Sequence, residues 1–259
     1  DLHRLIRRQR QMCIRDSKES VRWGYVTGFF TNLGTLYWIN WVTIPGAIAA
    51  ILYLPVYFIV YAVLHTFLRQ HIKENYFYYC LPFLWTGVEF LRSLGVLGFP
   101  WNSLAYSQTY YLSLIQYASY TSLFGVSFWI VTINVFILLI FKNASHYKRL
   151  VIYFMVLILL FLIPWIYGKL IIPDEDQGKE EKIRVGIIQG NIDPYLKWDD
   201  AFQTKNLLIY QHLTQSLKNQ NLDLIIWPET ATPVYLRDSI TYLNAIYQIT
   251  DDFRTSLIT

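Results

Sequence analysis

The sequence is poor in charged residues, and this scarcity decides which class of protein is considered first. Only 15% of its 259 residues are charged, while 54% are hydrophobic and 18% aromatic. Soluble domains have roughly 25% charged residues, so the composition predicts a membrane protein. The net charge is only +4, and the basic residues form no stripe interleaved with stacking aromatic residues, which argues against a nucleic-acid partner.

Cysteine and histidine are also scarce. The two cysteines, Cys13 and Cys80, are too few for a disulfide framework and lack the spacing of a CxxC metal site. The five histidines are scattered, with no HExxH motif and no paired spacing. The sequence therefore predicts neither a metal site nor a cofactor.

Long apolar runs fill the first two thirds of the chain. Five of them have nearly the ~20 residues that a helix needs to cross the hydrocarbon of a bilayer. They are residues 23–40, 44–68, 76–94, 119–141 and 150–168, of which the third carries only two charges, Glu89 and Arg92. Because the runs lack the polar face of a soluble amphipathic helix, we expect a transmembrane domain of about five helices over 23–168, after a basic tail over 1–22.

Lysine and arginine are confined to alternate connections between these segments. They cluster before residue 23, at 69–73 and at 142–149, whereas 41–43 and 95–118 contain none. By the positive-inside rule, the N-terminus and the two basic loops are predicted to be cytoplasmic. Everything after Gly168 is then predicted to lie on the outer face of the membrane.

Residues 7–17 show no apolar periodicity and join abruptly to the first apolar run. They have two interpretations: a basic cytoplasmic tail, or translated sequencing adapter that is foreign to the gene. Because of the second interpretation, Cys13 is assigned no function.

A different composition begins after a mixed-charge linker predicted over 169–182. Strands are predicted over 183–191, 222–227 and from 256, and helices from about Asp199 and over 239–249. The first of these helices is expected to bury the face formed by Phe202, Ile209, Leu213 and Leu217. Alternating strands and helices are typical of an α/β domain, predicted here over 183–259. Since the chain stops inside an apolar run, we expect this domain to continue beyond Thr259.

Glu229 follows an apolar strand that ends in Trp227 and Pro228. Because Pro228 has no N–H for a sheet ladder, strand pairing should end there. The carboxylate is then displayed at the carboxyl end of a buried strand, where open α/β sheets bind ligands. If Trp227 and its apolar neighbours shield the carboxylate from water, Glu229 is suited to act as a general base. The alternative is an exposed loop acid that caps the next helix.

Four stretches resemble one family. "VGIIQGNIDPYLKWD" and "LIIWPETATP" resemble the opening of the nitrilase-type domain of the apolipoprotein N-acyltransferase family, and "EFLRSLGVLGFPWNSLAYSQ" and "GYVTGFFTNLGTLYWIN" resemble its transmembrane half. The resemblance covers nearly all of residues 23–259, in the family's order. It implies a polytopic α-helical membrane domain of the bacterial inner membrane, followed by the start of a periplasmic, nitrilase-like α/β domain, an α-β-β-α sandwich.

The resemblance also implies a reaction. Family members are acyltransferases that move a fatty acyl chain from a phospholipid to a cysteine, and from this thioester to the N-terminal amine of a diacylglyceryl apolipoprotein. The implied partners are phospholipid, apolipoprotein and the bilayer. Of the superfamily's glutamate, lysine and cysteine triad, Glu229 matches the glutamate, the general base. The family's lysine and nucleophilic cysteine lie downstream of this motif and are absent from the chain, which is therefore expected to be inactive.

Three further residues are candidate substrate-binding positions. Trp198, in the family's KW element, would either hold a lipid chain or pack the domain against the membrane. Glu89 and Arg92 share a helix face near the outer end of their segment, where Arg92 would meet a lipid phosphate or the two would form an internal ion pair. Two other functions stay open: a membrane-anchored nitrilase-type amidohydrolase, and a non-catalytic polytopic protein that binds a ligand.

Overall fold

The computed structural model describes residues 2–173, 183–193, 196, 200–229, 231–232 and 234–259, with side chains from residue 17 onward except that of residue 200. Within it the chain forms two compact units, Asp1–Asp174 and Glu175–Thr259. Each unit has its own buried apolar cluster.

All regular secondary structure described in the first unit is helical. Its α-helices are α1 (Leu2–Leu36), α2 (Ile44–Tyr53), α3 (Pro55–His71), α4 (Glu74–Arg92), α5 (Leu112–Ile115), α6 (Ala118–Lys142) and α7 (Tyr147–Ile171). Short 3₁₀ helices span Tyr37–Trp41 and Leu104–Gln108. α1 begins far upstream of residue 23, inside the region predicted as a basic tail. The predicted linker falls mainly on residues 174–182, which lie outside the described residues.

Threonine and proline set the boundaries of α2 and α3. Thr43 Oγ1 accepts a hydrogen bond from Gly46 N at 3.3 Å, which caps the first turn of α2. α3 begins at Pro55, since its ring cannot continue the hydrogen-bond ladder of α2. The apolar segment 44–68 is therefore built from two helices that meet at Leu54.

Three stretches of the described chain are helical, long and apolar enough to cross a membrane: Ile44–His71, Ala118–Lys142 and Tyr147–Ile171. None of the residues in the most apolar 18-residue stretch of α7 is buried, as expected for a helix whose surface meets lipid. The other two predicted segments lie mainly in α1 and α4, which carry charged residues among their apolar ones. The structure thus supports a membrane unit, while the number of five spans stays a prediction.

Glycines allow α1 and α3 to approach closely. A Cβ at Gly28 would lie 2.8 Å from Pro55 Cα, and one at Gly24 would lie 2.9 Å from Phe58 O. Both distances are too short for a van der Waals contact, so larger residues would force the two helices apart. Small residues at such crossings are typical of helices packed in membranes.

The second unit contains a parallel sheet whose described strands are ordered β1 (Val185–Ile187), β2 (Leu224–Ile226) and β3 (Ser256–Ile258). The helix α8 (Asp200–Gln215) lies between β1 and β2 in the chain, and α9 (Ile240–Phe253) lies between β2 and β3. Parallel neighbours require such crossovers. The strand and helix order is the predicted one.

The buried face of α8 differs from the predicted one. Phe202, Ile209, Leu213 and Leu217 are only partly buried, whereas Asn206, Leu207, Tyr210 and Thr214 are fully buried. A tyrosine and a threonine of this helix, Tyr210 and Thr214, contact the indole of Trp227. Apolar periodicity alone missed this face because two of its residues are polar.

Candidate active site

Glu229 lies in a turn at the carboxyl end of the central strand β2. Beyond the strand, Trp227 N still donates to Ile258 O at 2.8 Å. Pro228, next in the chain, has no N–H to donate, and its carbonyl oxygen accepts from Ala231 N at 3.0 Å. The backbone therefore leaves the sheet at Pro228, and the carboxylate stands at the edge where α/β sheets bind ligands.

Trp227 is a core residue and not a cover for the carboxylate. It is 2% exposed, and the centre of its ring lies 5.2 Å from that of Tyr210, with 30° between the ring planes. Trp227 Nε1 donates to Thr214 Oγ1 at 3.0 Å, and this hydroxyl donates to Tyr210 O at 2.7 Å. These contacts fix the end of β2 to α8, and they give the residue before Pro228 a defined position.

The side chain of Glu229 is exposed. The expectation that Trp227 shields this carboxylate is wrong within the described residues, because the indole is buried in the core instead. The N-cap position of α9 is held by Ser239, so Glu229 does not occupy the cap position of the next α-helix.

Tyr210 also supports the chain that follows β1. A Cβ at Gly190 would lie 2.7 Å from Tyr210 Cζ, so glycine is needed where the backbone crosses this ring. Burial raises the pKa of the Tyr210 phenol. Tyr210 and Thr214 stand one helical turn apart, and this polar pair within α8 is the sequence signal that could have identified them.

Trp198 and its neighbour Lys197 lie outside the described residues. Lipid binding by Trp198 and packing of Trp198 against the membrane both stay predictions. In the part of the chain that the structure describes, no group of three or more His, Cys, Asp or Glu side chains could hold a metal ion.

Glu89 and Arg92 are buried near the C-terminal end of α4, with 3% and 5% of their surfaces exposed. Glu89 Oε1 accepts hydrogen bonds from Trp85 Nε1 at 3.0 Å and from Leu104 N at 2.9 Å. Arg92 Nη2 donates a hydrogen bond to Ser103 Oγ at 3.2 Å. Among the ion pairs of the described residues, none joins Glu89 to Arg92 directly. Both side chains therefore hold the loop that follows α4.

This loop is fastened at further points. Phe99 N donates to Arg92 O at 2.8 Å, and Ala105 N donates to the buried Ser127 Oγ of α6 at 3.2 Å. Gly95 has a φ of +79°, in the left-handed region that favours glycine. Contact between Arg92 and a lipid phosphate stays a prediction.

The fold and the candidate site define a class: a helical unit with membrane-spanning character, followed in the chain by a parallel α/β unit that displays an acid at the end of its central strand. The family model described as "Apolipoprotein N-acyltransferase N-terminal domain" matches residues 8–136. This match covers most of the helical unit. Similarity to curated proteins extends through the α/β unit as well.

Three curated relatives are named apolipoprotein N-acyltransferase. The protein of Geobacter metallireducens is 31% identical over 94% of this chain and 49% of its own length. The protein of Chlorobaculum tepidum is 30% identical over 86% of this chain and 43% of its own length. The protein of Coxiella burnetii is 32% identical over 70% of this chain and 36% of its own length. The chain belongs to the apolipoprotein N-acyltransferase family, as its motifs predicted. It spans about half or less of the length of these relatives.

Proposed function

We propose that the protein is a phospholipid:apolipoprotein N-acyltransferase and that Glu229 is its general base. The observation that carries this proposal is an exposed carboxylate at the end of a fixed central strand, in a chain whose relatives are named for this reaction. A base has to come within hydrogen-bond reach of the group that it deprotonates. Glu229 lies at the carboxyl end of the central strand, where α/β sheets bring such groups to a ligand.

The proposed reaction has two halves. In the first, Glu229 takes the proton of a cysteine thiol while the sulfur attacks the ester carbonyl carbon of a phospholipid. The C–O bond breaks, and the lysophospholipid oxygen leaves with that proton. In the second, the amine of the apolipoprotein's diacylglyceryl cysteine attacks the thioester carbonyl and gives a proton to Glu229. The C–S bond breaks, the thiolate recovers the proton, and an amide is formed.

We infer from the family resemblance that the nucleophile lies downstream of the Glu229 motif and is neither Cys13 nor Cys80. Cys80 lies within α4 of the helical unit, where its Sγ contacts Tyr76 O at 3.6 Å, and Cys13 lies upstream of the described side chains. Neither stands on the element that displays Glu229. We therefore expect residues 1–259 alone to form no thioester, and a protein that also carries the family's downstream cysteine and lysine to form one.

We further propose that the α/β unit lies on the periplasmic side of the bacterial inner membrane. Lys142, Lys148 and Arg149 flank the turn between α6 and α7, two helices of spanning length. The positive-inside rule favours the cytoplasm for such a turn. α7 then leads the chain toward the opposite face, where apolipoprotein would be met.

The test of Glu229 uses a protein with the downstream cysteine and lysine, labelled phospholipid and a diacylglyceryl peptide. Glu229→Gln keeps the shape but removes the base, so thioester formation should fall by about 10²–10⁴-fold. The matched control is Asp238→Asn, another exposed acid of the same unit, which should leave the rate unchanged. Undiminished acyl-enzyme in Glu229→Gln would refute the assigned role. Release of free fatty acid without N-acylated peptide would instead favour an amidohydrolase.

A further inference from the structure

A polar pocket of about 300 Å³ lies between the start of α4, the end of α6 and the start of α7. Its lining includes Asn75 and Tyr78 of α4, Lys142 at the end of α6, Asn143 directly after it, and Arg149 of α7. It belongs wholly to the helical unit. None of the residues assigned to acyl transfer lines it.

The pocket stands at the level of the membrane surface. α6 ends at Lys142, and α7 begins at Tyr147. Both helices are long and apolar enough to span a bilayer, so the short turn between them marks the place where they leave the hydrocarbon. A pocket beside this turn lies at the depth of lipid headgroups. Tyrosine side chains, such as that of Tyr78, favour the same depth.

The charges in the pocket are unequal. Lys142 Nζ forms an ion pair with Glu74 Oε1 at 2.6 Å, also donates to the Tyr78 hydroxyl, and lies 4.7 Å from the centre of the Tyr78 ring. Arg149 Nη1 donates a hydrogen bond to Asn143 Oδ1 at 3.3 Å. No carboxylate forms an ion pair with Arg149 among the described residues. One carboxylate therefore faces two cations, and the pocket has a surplus positive charge.

We propose that this pocket binds the phosphate group of an anionic phospholipid in the cytoplasmic leaflet. The guanidinium of Arg149, oriented by Asn143, presents a planar fork of N–H donors that matches a phosphate. Basic pockets between helices on the cytoplasmic side suit such headgroups.

A free phosphate would use the same donors, but the surface beside the pocket favours a lipid. α7 continues away from Arg149 with exposed apolar side chains, including Ile152, about one turn after Arg149, at 57% exposure. These side chains can contact acyl chains, which inorganic phosphate lacks. The site is separate from Glu229 and is independent of the proposed chemistry.

Native mass spectrometry of the detergent-purified chain tests the proposal. Phosphatidylglycerol should bind more tightly than phosphatidylcholine. Arg149→Gln should weaken phosphatidylglycerol binding about fivefold, the effect of removing one cation near an anionic surface. Lys148→Gln removes the adjacent cation, which does not line the pocket, and should have a smaller effect.

A second variant controls for loss of binding that is caused by misfolding. Arg149→Lys keeps the charge and loses only the planar fork, so its affinity should fall between those of the wild type and Arg149→Gln. Equal binding of the two lipids, or unchanged affinity in both Arg149 variants, would overturn the proposal. Displacement of bound phosphatidylglycerol by an equal concentration of inorganic phosphate would also overturn it, because the pocket would then be a site for free anions.

Discussion

Replacing Glu89 by leucine removes a buried carboxylate that accepts two hydrogen bonds. The donors are Trp85 Nε1 at 3.0 Å and Leu104 N at 2.9 Å, and Glu89 itself is 3% exposed. Leucine fills much of the same space but offers no acceptor. Both N–H groups are partly buried and would then lose this acceptor.

The cost follows from these two donors. Leaving a buried donor without an acceptor costs about 1–3 kcal/mol, so the pair costs about 2–6 kcal/mol. Burying leucine in place of a polar residue returns about 1 kcal/mol. The net destabilisation expected for Glu89→Leu is therefore about 3 kcal/mol. Burial of Arg92 without the nearby negative charge acts in the same direction.

Two measurements in detergent test this reasoning. The free energy of unfolding should fall by about 3 kcal/mol in Glu89→Leu, and protease should cut residues 93–111 faster, since Leu104 N anchors that loop. Glu89→Gln is the matched control, because its amide oxygen can still accept both hydrogen bonds, and it should lose less than half as much. Equal losses in the two variants, or slow proteolysis of the loop in Glu89→Leu, would refute the structural role of the carboxylate.

Two further substitutions probe the packing of each unit by thermal unfolding. A Cβ at Gly168 would overlap the backbone of Ser113, so Gly168→Ala should destabilise the helical unit by about 1–3 kcal/mol. The control is Gly87→Ala, whose added Cβ meets no atom within 4 Å and should be neutral or stabilising. A similar loss of stability in both variants would contradict the predicted overlap. Trp227→Phe removes the donor to Thr214 and part of a buried ring, and should cost about 1–3 kcal/mol in the α/β unit, whereas unchanged stability would show that the indole does not fix β2.

The order of elements could be predicted because it is encoded locally. Runs of apolar residues predicted the three stretches of spanning length, and short β-rich runs separated by helical patterns predicted the α/β order. Pro228 predicted the end of pairing of β2 because a missing N–H is a property of the residue itself. The break at Pro55 has the same cause.

The environments of the site residues could not be predicted in the same way. Glu89 meets the backbone of Leu104, 15 positions further along the chain, and Trp227 meets Thr214 on a preceding helix. Both contacts depend on how separate elements pack. A helical face shared by Glu89 and Arg92 was visible in the sequence, but the loop that returns to cover them was not.

The two acids of the predicted site differ in what the fold requires of them. Glu89 is buried, and one of its oxygens holds both a tryptophan side chain and a loop amide. Glu229 is exposed and lies in the turn that follows β2, two residues after Trp227, whose N–H donates to Ile258 O. Replacement of Glu89 should therefore act through stability. Replacement of Glu229 by glutamine is expected to act on acyl transfer, because glutamine keeps the shape of the side chain but cannot serve as the proposed base.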